Sequence, residues 1–295
     1  MRSSTSDRVS VRRALGCAAA ALALAAGGMA SSAAAQSAEP GTAAAAVAGP
    51  NEDEAICTDR PTKSNAPCTV EAGRFQLETD LFNGAFQRQG GVTTDTYLAT
   101  NPTLKYGLTE SIDLEANIAP YEVVRTHDAS GEESVVGGVG DLYLRLKYNF
   151  YNRKDDTLQV SVIPYIKAPT ARSAIGNGAV EGGVILPVGI KLTDKLNLTT
   201  VPEVDAYKDS AGDGRHLNTA QLVNIGYSLP NNVTVYGELW GDWNFDPSGE
   251  IDQYSADLAV AWGMTKTLQL DGGLNFGLNH QTPGVQAYVG ISQKF

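Results

Sequence analysis

Hydrophobic and polar residues alternate with a period of two from Gly73 to Phe295, which is the repeat of an extended strand. In the stretch 268–279, leucine and phenylalanine alternate with glutamine, aspartate, glycine and asparagine, and the stretches 141–151 and 233–245 repeat this pattern. An α-helix would scatter the polar side chains around its circumference, whereas a strand collects them on one face. The alternation therefore predicts an all-β body.

Short polar turns near residues 109, 154, 194, 230 and 265 separate the alternating stretches, and longer glycine-rich connections lie between them. The pattern predicts twelve strands, at 73–88, 93–107, 112–126, 138–151, 157–169, 180–192, 196–208, 216–228, 233–245, 252–264, 268–279 and 285–295. Strands in globular proteins have about 5–6 residues, whereas these have 11–16. Long strands in even number are typical of bacterial outer-membrane proteins. We therefore predict an antiparallel, up-and-down transmembrane β-barrel over residues 73–295.

The first 72 residues have a different composition. Residues 1–35 are predicted to be a signal peptide, because four arginines precede an apolar stretch at 14–26 and an Ala-Ala-Ala cleavage site ends at Ala35. Residues 36–56 are rich in Ala, Gly, Pro and acidic residues, which indicates a disordered linker. Residues 57–72 are predicted to be a periplasmic N-terminal segment.

Composition alone would suggest a soluble protein, since the mean hydropathy is −0.17 and no second long apolar run occurs. A barrel explains the same average, because its strands alternate between a lipid face and a water-facing wall. Outer-membrane lipid is thus one expected partner. The net charge of −11 makes nucleic acid an unexpected one.

Two cysteines, Cys57 and Cys68, remain after removal of the signal peptide. In an oxidising compartment an even pair is a candidate disulfide. Two free thiols are the alternative, and a metal site is disfavoured because no histidine lies nearby in the sequence.

Charged residues of the strands are expected to face the lumen, because a charge on the lipid face costs about 2–4 kcal/mol for Arg or Lys near the midplane. The expected charged set comprises Arg74, Glu78, Asp80, Lys105, Asp113, Glu115, Asp141, Arg145, Lys147, Lys167, Lys191, Glu203, Asp205, Glu238, Asp242, Asp257 and Asp271. Six are basic and eleven acidic, which favours neutral or cationic solutes over anions. Ion pairs could fill a narrow barrel and fix its register, or these groups could form a polar wall that binds solute.

Seven aromatic residues share the inward face in this assignment, and they could line a path that tolerates apolar solutes: Tyr97, Tyr121, Tyr143, Tyr165, Tyr207, Tyr236 and Trp240. The sequence contains no P-loop, no HExxH and no GxSxG motif, so no cofactor and no catalytic residue is expected. The three histidines, His127, His216 and His280, fall at predicted external connections. They are either separate, solvated side chains or a site at the outer rim.

Several motifs resemble an outer-membrane transporter family named for the meta-pathway of phenol degradation. They are Thr58-Asp59-Arg60-Pro61, CTVEAGRFQLETD at 68–80, GVGDLYLRLKYNF at 138–150 and VIPYIKAPTAR at 162–172. The resemblance covers residues 57–295. It implies a barrel that passes small solutes, with aromatic or apolar ones as candidates. It also implies that Asp59, Arg60 and Pro61 are structural and tuck the N-terminal segment against the periplasmic mouth or into the lumen.

The last strand, which ends at Phe295, resembles the assembly signal of outer-membrane barrels, so the barrel-assembly machinery is another expected partner. The leading functional hypothesis is passive transport of a small-molecule solute into the periplasm. A structural or adhesive barrel with a closed lumen is the first alternative, although the external loops are short for adhesion. A lipid-modifying enzyme that uses His216 with Ser210 is the second.

Overall fold

The computed structural model describes residues 55–151, 157–172 and 174–295. The predicted signal peptide and positions 36–54 of the predicted linker lie outside the described residues, as does most of the predicted turn near 154. The secondary structure of the described residues consists of β-strands. Within these ranges, no helix has the length and apolar character needed to cross a membrane.

Sixteen strand segments follow one another along the chain. They are β1 (Phe75–Gln89), β2 (Val92–Leu98), β3 (Thr103–Thr109), β4 (Ile112–Ile118), β5 (Glu122–His127), β6 (Glu133–Gly138), β7 (Leu142–Tyr151), β8 (Leu158–Ala168), β9 (Glu181–Ile185), β10 (Val188–Lys191), β11 (Leu196–Lys208), β12 (Arg215–Leu229), β13 (Val233–Asn244), β14 (Ile251–Gly263), β15 (Leu268–Gly277) and β16 (Val285–Lys294).

The sheet closes on itself. Neighbouring segments are antiparallel, and β16 pairs with β1 from Gln76 opposite Lys294 to Phe86 opposite Val285. Four pairs of consecutive segments (β2 with β3, β4 with β5, β6 with β7 and β9 with β10) are the two halves of one strand, so the sixteen segments form twelve barrel strands. The predicted twelve-stranded antiparallel barrel is confirmed, and the pairing of β16 with β1 closes it.

Continuous strands over 93–107, 112–126, 138–151 and 180–192 were wrong predictions, because each of these four strands is interrupted. Three of the gaps contain Pro102, Pro120 or Pro187. Proline has no N–H to donate to a neighbouring strand, so it ends the ladder locally. The fourth gap contains Gly140, whose amide donates instead to the carbonyl of Ala119 in the adjacent gap. The gaps at 99–102, 119–121 and 139–141 lie side by side on neighbouring strands.

The two faces of the barrel have opposite character. Large apolar side chains cover the outer face, where Leu144 is 46%, Leu239 61% and Leu258 62% exposed. Charged side chains point inward, and Lys105 and Lys147 are fully buried. An apolar exterior around a polar interior is the pattern that a hydrocarbon solvent requires. The protein is therefore a bacterial outer-membrane β-barrel.

This assignment of faces predicts the cost of a charge on the outer side. Leu258→Arg places a guanidinium near the middle of β14, so the free energy of unfolding should fall by about 2–4 kcal/mol. Unfolding by urea in lipid vesicles measures this loss. Met264→Arg, at the end of the same strand where water is accessible, is the matched control and should cost about 1 kcal/mol or less. Equal losses at both positions would contradict the assignment.

Candidate functional site in the barrel lumen

Residues 55–72, here called the lumenal segment, precede β1 and lie inside the barrel. The carbonyl of Cys57 accepts a hydrogen bond from Gln76 on β1, at 2.5 Å. The carbonyl of Pro67 accepts one from Asn149 on β7, at 3.0 Å, and another from Ser161 on β8. Because β1 is separated from β8 by the strands β3, β4 and β7, the segment crosses the lumen rather than following one wall.

A disulfide joins Cys57 to Cys68 and closes the middle of the lumenal segment into a loop. After this loop, the amide of Val70 donates to Asp113 on β4, at 2.9 Å. Glu71 forms an ion pair with Lys294 on the last strand. The segment is thus held at both ends of the loop and has no independent fold.

Asp59 of the lumenal segment lies between two buried lysines. Its carboxylate is 2.5 Å from the ammonium nitrogen of Lys105 and 2.8 Å from that of Lys147. The same lysines pair with Glu78, at 2.6 Å, and Glu115, at 3.1 Å. Burial alone would raise the pKa of Asp59, but attraction to and hydrogen bonds from the two lysines outweigh it and hold that pKa well below its ordinary value.

Arg60 contacts the adjoining part of the wall, at β1 and β15. Its guanidinium is 2.8 Å from Asp271 on β15 and 2.6 Å from Asp80 on β1. Burial disfavours the charged guanidinium, but the hydrogen bonds and charges of both carboxylates outweigh burial and raise the pKa of Arg60. A β-carbon at Gly290 on β16 would overlap this guanidinium, so the close approach requires glycine at that position.

Lys63 makes the third set of contacts. Its ammonium nitrogen is 2.6 Å from Asp257 on β14 and 4.9 Å from the centre of the Trp240 ring. The backbone amides of Lys63 and Ser64 donate to the carboxylate of Glu238 on β13, at 3.0 and 3.3 Å. The charged residues of the lumenal segment thus contact carboxylates on several different strands.

An open space of about 310 Å³ remains beside the lumenal segment. On the barrel side it is lined by Gln159, Gly189, Ile190, Lys191, Asn197, Leu198, Thr199, Asn224 and Tyr236. A second cavity of about 280 Å³ lies at the three adjacent strand gaps, and Asn101, Asn117, Glu122, Asp141 and Tyr143 are among the residues that line it. The first cavity therefore lies between the lumenal segment and the strands β8, β10, β11, β12 and β13.

A row of apolar residues lies on the inner wall, next to this cavity on the side of the external loops. Ile163, Ile185, Val201 and Leu222, which we call the apolar row, are each at most 5% exposed, and Tyr165 and Trp240 pack against them. These four apolar residues face the lumen, in contrast to the apolar residues that cover the outer face. The alternation along each strand predicts this inward orientation, since Ile163 shares a face with Lys167 and Val201 shares one with Asp205.

The carboxylates of Glu203, Asp205 and Asp242, here called the acidic row, lie beside the apolar row on the side of the external loops. Here the Tyr165 hydroxyl donates to Asp205 at 2.6 Å. The Asn218 side-chain amide donates to Asp205 at 3.1 Å and to Asp242 at 2.9 Å. Asp205 lies against Gly183 of β9, where a β-carbon would overlap its carboxylate. Glu203 lies two residues along β11 and on the same face.

The sequence-predicted lumenal residues fall into two groups. Glu78, Asp80, Lys105, Asp113, Glu115, Lys147, Lys167, Asp205, Glu238, Asp257 and Asp271 are buried, and Tyr143, Arg145, Tyr165, Glu203, Tyr236, Trp240 and Asp242 are half-buried. Tyr121 was assigned wrongly, because it lies in the gap between β4 and β5 and is 50% exposed. The contacts of Arg60 and Lys63 with the wall were not predicted.

The histidines do not gather at one place. His127 lies 3.9 Å from Glu133, and the ring Nδ1 of His216 donates to Asp209 at 2.9 Å. Within the described residues, no group of three or more His, Cys, Asp or Glu side chains is arranged to hold a metal ion.

The amide of Ser210 donates to Asp246 at 2.8 Å. This bond and those from Ser248 lower the pKa of Asp246 to about 2.

Solved structures with a similar fold are membrane barrels. An outer membrane channel from Pseudomonas putida F1 aligns with a TM-score of 0.61 at 16% identity, over 77% of this chain and 97% of the channel. The NanC porin aligns with a TM-score of 0.49 at 12% identity, over 74% of this chain and 100% of the porin. No curated protein matches the sequence.

A family model described as "Putative MetA-pathway of phenol degradation" matches residues 58–295. This range includes nearly all of the lumenal segment together with the complete barrel. The family resemblance inferred from the TDRP, Gly-Asp and Lys-x-Pro-Thr motifs is thereby confirmed. The chain belongs to the family described as "Putative MetA-pathway of phenol degradation".

Proposed function

We propose that the barrel is a passive channel through which small aromatic or apolar solutes enter the periplasm. The observation that carries this proposal is the apolar row on an otherwise polar inner wall. Its four aliphatic residues are buried, and the half-buried rings of Tyr165 and Trp240 that pack against them offer apolar surface to a solute in the lumen. Binding sites for small apolar molecules are lined in the same way, with few polar groups among aliphatic and aromatic side chains.

The lumenal segment supports a narrow passage rather than a wide pore. It crosses the lumen on the periplasmic side of the apolar row, and the opening beside it has a volume of only about 310 Å³. A solute that leaves the apolar row toward the periplasm meets this opening next, because Leu222 and Asn224 point inward two residues apart on β12. We therefore expect low ionic conductance and passage of small solutes only.

We propose a channel rather than an enzyme because the candidate catalytic pair lacks the required arrangement. The imidazole Nδ1 of His216 contacts Asp209, and Ser210 contacts Asp246. A nucleophilic serine would instead need its hydroxyl on the histidine. A measurement of ion current distinguishes this channel from a closed structural barrel, since a closed barrel would carry no current.

Truncation of the apolar row tests the proposed passage. In planar bilayers, phenol should reduce the ion current of the wild-type barrel at lower concentration than 1-propanol does. Leu222→Ala should raise the conductance and weaken the block by phenol several-fold, because it removes apolar surface from the inner wall. Leu239→Ala is the matched control, since this leucine faces outward on the adjacent strand and is 61% exposed. No current from the wild type, or no block by phenol, would contradict the proposal.

Release of the lumenal segment tests its role as a restriction. Asp59→Ala leaves Lys105 and Lys147 with one carboxylate fewer, and breaking a buried ion pair costs about 3–5 kcal/mol. The single-channel conductance should therefore increase at least two-fold, whereas Asp128→Ala in an external turn should leave it unchanged. Because the pKa of Asp59 is lowered, its contribution is present above its ordinary pKa and is lost only as pH falls through the lowered value. Wild-type conductance should thus stay low from pH 7 to pH 4, and an increase within that range would contradict this role.

We also propose that the barrel-assembly machinery recognises the terminal strand. Phe295 is 61% exposed, and its backbone amide donates to the carbonyl of Phe75, so its side chain contributes little to the fold. Phe295→Ser should lower the amount of barrel in the outer membrane of cells several-fold, while refolding of the purified chain into detergent stays unchanged. Equal losses in both assays would indicate a defect of folding instead of recognition.

A further inference from the structure

Charge is compensated unevenly along the lumen. In the periplasmic half, every one of the cations Arg60, Lys63, Lys105 and Lys147 lies within 3.1 Å of a carboxylate. In the acidic row, the three carboxylates of Glu203, Asp205 and Asp242 have no ion-pair partner among the residues that the structure describes. The carboxylates of the acidic row are therefore not neutralised by an ion pair, although Arg145 and Lys167 lie nearby.

The acidic row also contains an acceptor without a donor. Asn218 is 1% exposed and donates through its nitrogen to both Asp205 and Asp242. Its side-chain oxygen is buried and accepts no hydrogen bond. Buried polar atoms in native proteins are nearly always satisfied, so an unsatisfied one among carboxylates indicates a missing donor.

The neighbouring cations do not supply that donor. Arg145, whose charge acts on Glu203, lies beyond ion-pair distance of it and is 3.9 Å from Glu115. Lys167 lies 2.6 Å from Glu181 and 3.3 Å from Asp141. Both cations are thus engaged with other carboxylates.

The residues around the acidic row indicate what kind of ligand would fit there. Strand register places Glu203 opposite Ala220, and Val201 opposite Leu222, so the apolar row begins one inward position closer to the periplasm. Trp240 lies opposite Leu222 on the next strand. An ammonium group donates in several directions and accepts nothing, which matches carboxylates and an amide oxygen. Aromatic rings nearby add attraction for a cation.

We propose that Glu203, Asp205, Asp242 and Asn218 bind the ammonium group of a small amine whose apolar body rests on the rings of Tyr165 and Trp240, which pack against the apolar row. This proposal rests on the proposed function, because it names the class of solute that the channel takes. Asn218 donates to two of the carboxylates and holds them together, while its oxygen and the half-buried Glu203 and Asp242 accept from the ligand.

Three probes with the same ring and different charge test the proposal: 2-phenylethylammonium, 2-phenylethanol and phenylacetate. Two readouts are used on the full barrel, namely block of the ion current in planar bilayers and change of tryptophan fluorescence in detergent, to which Trp240 contributes. The ammonium probe should bind at least ten-fold more tightly than the alcohol, and phenylacetate should bind most weakly.

The double variant Glu203→Gln and Asp242→Asn keeps the shape of the row and removes two charges. It should bind the ammonium probe and the alcohol with affinities that differ less than three-fold. The double variant Asp194→Asn and Asp213→Asn, which removes two charges from exposed connections, is the matched control and should keep the wild-type preference. Both variants should fold. Far-ultraviolet circular dichroism and the heat-dependent shift of migration in gel electrophoresis check this for each variant.

The outcomes separate this proposal from the proposed function. Equal affinity of the wild type for the ammonium probe and the alcohol would overturn the amine site and leave an apolar channel. A preference that survives in the Glu203/Asp242 variant would overturn the assignment to these residues. Absence of current with preferential amine binding by fluorescence would reject the channel and support the site.

Discussion

Lipid excludes charge from the outer face of this barrel, so most charged strand residues are gathered inside a narrow lumen. Asp59 satisfies the most demanding part of this constraint, because Lys105 and Lys147 are fully buried and both need a carboxylate within reach. Breaking such a contact leaves an uncompensated charge in a site with little water. The lumenal segment is for this reason part of the barrel's structure and is not an appended tail.

The same constraint explains local choices of residue on strands far apart in the sequence. Arg60 can bridge Asp80 and Asp271 only because Gly290 leaves room for the guanidinium. The Cys57–Cys68 disulfide encloses both Asp59 and Arg60 in one loop, so their positions are coupled. A cross-link of this kind reduces the number of conformations in the unfolded chain. Fold and restriction of the lumen therefore depend on one set of contacts.

The alternation of polar and apolar residues predicted the closed barrel, its twelve strands and the inward direction of nearly all the charged residues, because strand parity is a local property. The strand gaps were visible as Pro102, Pro120 and Pro187 but were outweighed by the alternation around them. The contacts of the lumenal segment could not be predicted, since Asp59 and Lys147 are 88 residues apart and Arg60 and Asp271 are 211 apart. No local period records such pairs.

The position of charge in the lumen matters more than its sum. Eleven acidic and six basic strand residues give a net charge that suggests only a mild preference for cations. The lumenal segment adds Arg60 and Lys63 to the periplasmic half and leaves the acidic row around Asp205 without a cation. The apolar row then lies between a region that contains ion pairs and a region of three carboxylates without them. In the proposed channel, an amine that enters from outside meets the acidic row first and the apolar row next, so we expect the order of these regions along the wall to set the selectivity.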